Sequence, residues 1–463
     1  MTYDLHLASK AIVAQPHGWT ATVAPPWLYP FQRATVEWAI SLGRAAIFAD
    51  TGLGKTRMQL AWAAEVVRHT GRPVLVFAPL AVGPQTVREA ERIGLGVRCT
   101  FAKSPPPDLD GIVVTNYDSL DHFDPRAFAG IVLDESSILK SYMGATKRAL
   151  LEMAQDVPYR LACTATPAPN DYLELGNHSE FLGVLTSHQM IARWFISDQS
   201  EMGTYRLKGH AVRSFWDWVA SWARCIGVPS DIGPYSDAGY VLPALSVVRH
   251  AVAVDLTEAR RDGELIRQVD LSATAIHAEK RRTAASRAAK VAELIAAEPD
   301  EAWLVWCETD YEADALREVL PSHAVEVHGR QDTDTKTAGL LGFADNGGIL
   351  VTKPKIAGFG MNWQHCARMA FVGGSYSYEA FYQAVRRCWR FGQTREVMAH
   401  VVMAATEQAM WSVVHAKSEA HGAMKEAMFA ASRRATARAA AIIDYHPQHT
   451  APVPAWLTDS EQE

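Results

Sequence analysis

A chain of 463 residues with 48% hydrophobic and 21% charged content is too long for one compact domain and suits two or three; disorder, a collagen repeat and a disulfide-stapled miniature are excluded. The 45 Lys+Arg against 51 Asp+Glu give a formal charge of −6, which excludes a uniformly basic nucleic-acid coat but not local basic patches. Six scattered cysteines (Cys99, Cys163, Cys225, Cys307, Cys366 and Cys388) with no C-x-x-C pair read as reduced thiols. Residues Met1 to His6 lack a basic segment leading into an apolar core, and no apolar run is long enough to span a bilayer, so a soluble cytoplasmic protein is expected, with no membrane partner.

In chain order, residues 1–27 form an N-terminal extension. Over 28–175, short apolar runs alternate with amphipathic stretches. Ala45–Ala49, Val74–Ala78, Ile112–Thr115, Ile131–Leu133 and Arg160–Cys163 read as buried strands, and Thr56–His69 and Ala145–Gln155 as helices. Strands that are apolar throughout, alternating with helices, predict a parallel sheet covered on both faces. The same signature returns over 283–445. Trp303–Cys307, Ala324–Val327, Ile349–Thr352, Met369–Val372 and Val397–Val402 are the expected strands, Tyr311–Leu320 and Glu379–Arg390 the expected helices, and Glu407–Asp444 an Ala-rich helical stretch. Between the lobes, 176–282 reads as a mostly helical insertion. Phe215, Trp218, Val219 and Trp222 form an apolar stripe there, whose simplest use is packing against a lobe. Residues 446–463 read as a loose tail. The expected fold class is α/β: two parallel-sheet lobes in tandem with a helical insertion between them.

Ala49-Asp-Thr-Gly-Leu-Gly-Lys-Thr56 follows a strand and opens a helix, the context that a phosphate-binding loop requires. Gly52 and Gly54 would let backbone N–H groups turn inward beside Thr51, at a helix N-terminus that favours anions. Lys55 would face the terminal phosphates, and the Thr56 hydroxyl would ligate Mg²⁺. Ala49 stands where such loops usually begin with glycine. A glycine-rich turn that binds nothing is the alternative.

Asp134 and Glu135 end an apolar strand about 80 residues later. Asp134 would hold Mg²⁺ and Glu135 would activate the attacking water. Taken alone, the pair reads equally as solvated charge at a strand end. Thr164-Ala-Thr-Pro167 ends the next strand, where hydroxyls could sense a phosphate. In the second lobe, Gln383–Gln393 carries Arg387 and Arg390 three apart, on one face of the expected helix, suited to a triphosphate whose charge grows in the transition state. Arg386 points elsewhere on that helix and reads as structural or DNA-facing.

Tyr29-Pro-Phe-Gln32, Asp50–Thr56, Asp134-Glu135, Thr164–Pro167, Thr352–Asn362 and Gln383–Gln393 occur in an order that resembles helicase superfamily two. The ending Q-A-x-x-R-x-x-R-x-G-Q, the Ala357–Asn362 stretch and the Asp134–Ser141 stretch resemble its Swi/Snf-type DNA translocase branch. The resemblance implies two RecA-like lobes that hydrolyse ATP with Mg²⁺ while moving along double-stranded DNA. It also implies site roles. Gln32 would read the adenine. Lys55 and Thr56 would hold phosphates and Mg²⁺, Asp134 and Glu135 would be the hydrolytic carboxylates, and Arg387 and Arg390 the arginine fingers. Gly358 and Gly360 would lie near the nucleotide, and Pro79, Thr115, Asn116 and Lys353 on the nucleic-acid track. The sequence departs from the family pattern at Ser136-Ser137, where Ala-His is common, and at Ala165, where Gly is common.

Two basic runs, Lys280–Lys290 and Arg433, Arg434 and Arg438, read either as part of a phosphate-contacting track or as solvated helix faces. A strand-separating DNA or RNA helicase and a nucleotide-gated DNA clamp with little turnover remain open as alternatives, as does a protein partner besides DNA.

Overall fold

The structure is a computed structural model; it describes residues 14–443 except 24, 81, 141–143, 170, 198–204, 254–272, 358–361 and 375–377. Its frame is two parallel sheets. The first has seven strands, β1 (Arg44–Ala49), β2 (Val74–Ala78), β3 (Cys99–Phe101), β4 (Ile112–Asn116), β5 (Gly130–Asp134), β6 (Tyr159–Cys163) and β9 (Ala223–Ile226), in the order β3-β4-β2-β5-β6-β1-β9. A short antiparallel pair, β7 (Phe195–Ser197) with β8 (Tyr205–Leu207), lies before β9 in the chain. The second sheet has six strands, β10 (Leu245–Val252), β11 (Trp303–Trp306), β12 (Val325–Val327), β13 (Ile349–Thr352), β14 (Arg368–Val372) and β15 (Val397–Ala404), in the order β10-β15-β14-β11-β13-β12.

Apolar runs make the central strands because both faces are covered. β2, β4 and β5 are buried at every position. One face of the first sheet packs on the helices Pro30–Leu42 and Lys55–Thr70, through Val36, Ile40, Leu60 and Trp62. The other packs on the helix Val212–Trp222, whose Phe215, Trp218 and Trp222 join Phe48 and Leu133 in one core. The aromatic stripe is therefore core. Trp218 stacks on Trp194 with ring centroids 4.7 Å apart. The second sheet holds its own two clusters, around Trp306, Trp363 and Met369 on one face and Val291, Val305 and Leu316 on the other.

Three features differ from the sequence expectation. β9 and β10 both fall within the expected helical insertion, yet each joins a different sheet: β9 pairs with β1, and β10 runs in register with β15 from Leu245↔Val397 to Val252↔Ala404. The C-terminal helix Gln408–Ile443 follows the second sheet in the chain but seals the first lobe, placing Met424, Met428 and Ala431 in the core of Phe215 and Trp218. Its Ser432 hydroxyl accepts the β9 Cys225 N–H at 3.0 Å, meeting an edge-strand donor. Thirdly, members of both basic runs are drawn into ion pairs within the protein, those of the second run at the surface. Arg287 is fully buried against Glu312 at 2.8 Å, Lys280 reaches Glu308 at 3.1 Å, and Arg433 and Arg434 reach Asp231 and Asp217 of the first lobe.

The six cysteines are unpaired thiols. Among the described residues no helix is long and apolar enough to cross a membrane.

Candidate functional site

The candidate site lies at the carboxyl ends of β1, β5 and β6, where loops leave a parallel sheet and ligands gather. The loop after β1 needs glycine twice. Gly52 and Gly54 have φ of 94° and 81°, and Gly54 caps the helix Lys55–Thr70. A Cβ at Gly54 would lie 2.3 Å from Gln32 Nε2, and one at Gly52 would lie 2.7 Å from Phe391 Cβ. Lys55 Nζ donates to the Ala49 carbonyl at 3.0 Å. Burial pushes the Lys55 ammonium down in pKa, while Glu135, Asp50 and Asp134 oppose that shift.

Asp134 is buried, and burial together with the adjacent Glu135 charge pushes its carboxyl up to about 6. Gln59 Nε2 donates to its Oδ1 at 2.7 Å, and the Tyr117 hydroxyl donates to its main-chain carbonyl at 2.7 Å. Glu135 has φ 53°, the left-handed region that side chains rarely adopt, so the backbone is strained where the carboxylate is aimed. Thr164 Oγ1 donates to Glu135 Oε2 at 3.2 Å, bringing the Thr164–Pro167 turn to the acidic pair. Behind Glu135, the Ser136 hydroxyl meets His178 Nε2 at 3.1 Å, and His178 Nδ1 meets the Glu174 carbonyl. An imidazole from a separate helix thus stands beside the Ser136-Ser137 departure. Burial pushes His178 down to about 4, so the ring is neutral.

The second lobe completes the cavity. Thr51, Gly52, Gly54, Lys55, Thr56, Asp134 and Glu135 from the first lobe face Asn362, Gln383, Arg387 and Arg390 from the second across about 330 Å³. The arginines do not share a helix face as expected. The helix Tyr378–Val385 ends before them, and turn hydrogen bonds Arg387 N–H to Ala384 and Cys388 N–H to Val385 carry the chain onward. Both side chains reach the cavity from that turn. Burial pushes each guanidinium down to about 10, with mutual repulsion adding to the Arg387 shift. Both stay charged at neutral pH. Arg386 faces the first lobe, paired with Asp50.

Gln32 does not line this cavity: its amide accepts from Tyr29 N–H at 3.0 Å and donates to the Leu53 carbonyl at 2.8 Å, bracing the loop. Gly358 and Gly360 lie outside the described residues. Of the residues expected on a nucleic-acid track, Pro79 and Asn116 line a second interlobe cleft of about 510 Å³ with Lys140, Lys355 and Glu379. This cleft meets the first cavity at Glu135, Gln383 and Arg387. The expectation for Thr115 is corrected: it is fully buried within β4, where strand packing closes it off from any strand of nucleic acid. Lys353 is paired with Asp310 and lies outside the cleft lining. Sequence reasoning missed Gln59 and His178, which carry no motif of their own and are gathered only by folding, and gave Asn362, the end of the Ala357–Asn362 stretch, no role of its own.

No family model matches the chain. A stretch of 177 residues, 34% of this chain and 11% of the relative, is 29% identical to Helicase SWR1 of Debaryomyces hansenii. A stretch of 195 residues, 36% of this chain and 42% of the relative, is 27% identical to putative protein p41 of Acyrthosiphon pisum secondary endosymbiont phage 1. The chain thus spans about a tenth of the first relative and two fifths of the second. The Sulfolobus solfataricus SWI2/SNF2 ATPase core, solved in complex with double-stranded DNA, aligns over 92% of this chain and 96% of that chain at 16% identity and a TM-score of 0.41. Over about a third of its length the chain is thus similar to part of a helicase.

Proposed function

We propose that the protein is an ATP-dependent DNA translocase that hydrolyses ATP between its two lobes. The observation that carries this reading is one cavity lined by the glycine loop, Lys55 and the acidic pair from one sheet and by two arginines from the other. The donor set fits a nucleoside triphosphate with Mg²⁺. Gly52 and Gly54 leave the loop backbone uncovered, the Lys55 ammonium and two guanidiniums supply cations, and Thr56 and Asp134 supply hard oxygen ligands. Mg²⁺ held there would neutralise phosphate charge. Lys55 binds the phosphates, and Glu135, oriented by Thr164, takes the proton of the attacking water. Arg387 and Arg390 stabilise charge that grows on the transferred group, a contribution of roughly 10³–10⁵ in rate in other NTPases.

The second cleft opens from this cavity and holds Pro79 and Asn116 from one lobe and Lys355 from the other, which supports a nucleic-acid path that changes shape as the lobes move. Double-stranded DNA is the proposed track. The test is steady-state ATPase rate with no nucleic acid, duplex DNA, single-stranded DNA and RNA, each at two salt concentrations. Stimulation by duplex DNA that falls steeply with salt is expected, because backbone contacts release counterions. Stimulation only by a single strand would replace the translocase with a strand-separating helicase. Absence of hydrolysis under every condition would sink the motor reading and leave a nucleotide-gated clamp.

A further inference from the structure

Asp50 is the one acidic residue of the loop Ala49–Thr56, yet it does not line the nucleotide cavity. Its main chain is fixed in the first lobe, the N–H donating to the Ile226 carbonyl of β9 at 2.9 Å. Its carboxylate accepts the Thr51 N–H at Oδ1, 2.8 Å away, and reaches beyond the loop to the second lobe. Oδ1 accepts from the Tyr382 hydroxyl at 2.7 Å and from the Arg386 guanidinium, and Oδ2 accepts from Lys425 Nζ at 2.9 Å. Lys425 Nζ also donates to the Tyr382 oxygen at 2.9 Å, which closes the cluster. Three segments distant in sequence therefore meet on one carboxylate: the phosphate loop, the arginine segment and the C-terminal helix.

Arg386 directly precedes Arg387, at the point where the helix Tyr378–Val385 has ended. A turn backbone has no regular ladder to hold it, so its placement depends on side-chain anchors. Arg386 supplies them: its guanidinium lies over the Tyr382 ring at 5.4 Å and the Trp389 ring at 4.8 Å, and it pairs with Asp50. Burial by itself would raise Asp50, but the Lys425 and Arg386 charges hold it well below the usual carboxylate range. The anchor is charged throughout the working pH range.

We infer that Asp50 is a positioning residue. It registers the Tyr382–Arg390 segment on the phosphate loop so that Arg387 and Arg390 face the cavity before nucleotide enters, and Lys425 locks that register from the C-terminal helix. The inference rests on the nucleotide site proposed above. Binding of ATP needs Lys55 and the loop glycines; the Asp50 side chain meets the loop at the Thr51 N–H, 2.8 Å from Oδ1, an acceptor that asparagine retains, so loss of the charge falls chiefly on turnover rather than on affinity. Asp50→Asn keeps the shape but removes the negative charge that Arg386 and Lys425 share.

The test has two arms on the full chain. In DNA-stimulated ATPase, Asp50→Asn is expected to lower kcat about 10- to 100-fold, the scale of a small misplacement of a catalytic group, with KM for ATP nearly unchanged. Lys425→Ala is expected to show a smaller drop of the same kind, and Lys425→Arg to restore the parent kcat. In the second arm, hydrogen exchange without nucleotide is expected to quicken in Asp50→Asn at residues 382–391, with the strands of both sheets still protected. Unchanged kcat and exchange in Asp50→Asn would overturn the inference. So would loss of protection across the whole first sheet with no rescue by Lys425→Arg, since that is the signature of general destabilisation. If the parent protein hydrolyses no ATP, the motor reading fails by itself and the exchange arm still decides whether Asp50 registers the segment.

Discussion

Asp134 is held where its charge is expensive. Burial and the neighbouring Glu135 raise its carboxyl to about 6 against an ordinary value of 3.8. The penalty is absent below the unfolded value and fully present above about pH 6, because the unfolded chain then gives up the proton more readily than the folded one. Asp134→Asn can still accept from Gln59 while losing the charge. It is expected to stabilise the ligand-free protein by up to about 3 kcal/mol at pH 7, with the gain fading towards pH 4, while abolishing turnover. Urea midpoints of parent and variant across that range measure it. Arg387 provides the complementary case: its charge is needed chiefly in the transition state, so Arg387→Ala should bind ATP almost as the parent does but lose at least about 10²-fold in kcat. Fluorescent-nucleotide titration beside steady-state turnover checks the split, and lost affinity with a preserved rate would remove the finger assignment. At this scale the motif residues were legible because phosphate chemistry restricts which side chains can serve at a fixed spacing. The anchoring role of Asp50, itself within the Asp50–Thr56 motif, was not, since its partners Tyr382, Arg386 and Lys425 are set by folding alone.

Among the elements, helix 408–443 ties the end of the second lobe to the core of the first. Met428 is buried within the first lobe's core. Met428→Ala should cost about 2–5 kcal/mol, the range for emptying a core side chain. Because the helix seals the first lobe, urea unfolding followed at the tryptophans of Val212–Trp222 should shift with it, and an unmoved transition would mean that the helix is only loosely docked. The helix Glu174–Leu182 brings a pH response. His178 is buried neutral with its value lowered to about 4, so its stabilising contribution is complete above about pH 6.5 and is lost progressively down to pH 4. His178→Gln is expected to flatten that limb of the stability curve by about 2 kcal/mol between pH 7 and pH 5, read from urea midpoints at pH 7, 6 and 5. Strands such as β2 and β5 could be read from sequence because both their faces are buried and their residues are apolar, up to Asp134 at the end of β5. β9 could not, being four residues with an arginine at an edge. β10 alternates between half-buried and exposed positions along an edge and carries no continuous apolar run. Helix periodicity showed that 408–443 would be helical, but it cannot name the surface a helix returns to.

At the scale of the whole molecule, two sheets share their boundary through charge as much as through apolar contact. Lys140 of the first lobe pairs with Glu379 of the second, and Phe391 sits on Gly52 and on Tyr240, with ring centroids 4.8 Å apart. Raising salt should therefore weaken the lobe boundary as well as any DNA contact. The two effects separate by experiment: ATPase without DNA reports the boundary, and the additional slope with DNA reports the track. The return of the last helix to the first sheet also sets an order of events during synthesis. The first sheet's strands leave the ribosome well before Met424 and Met428, which fill its core. Until that helix arrives, the nascent first lobe offers an uncovered apolar trough beside β9, a surface that invites wrong partners. A ribosome that stalls in the second lobe would thus release a first lobe that contains all its strands and still cannot close.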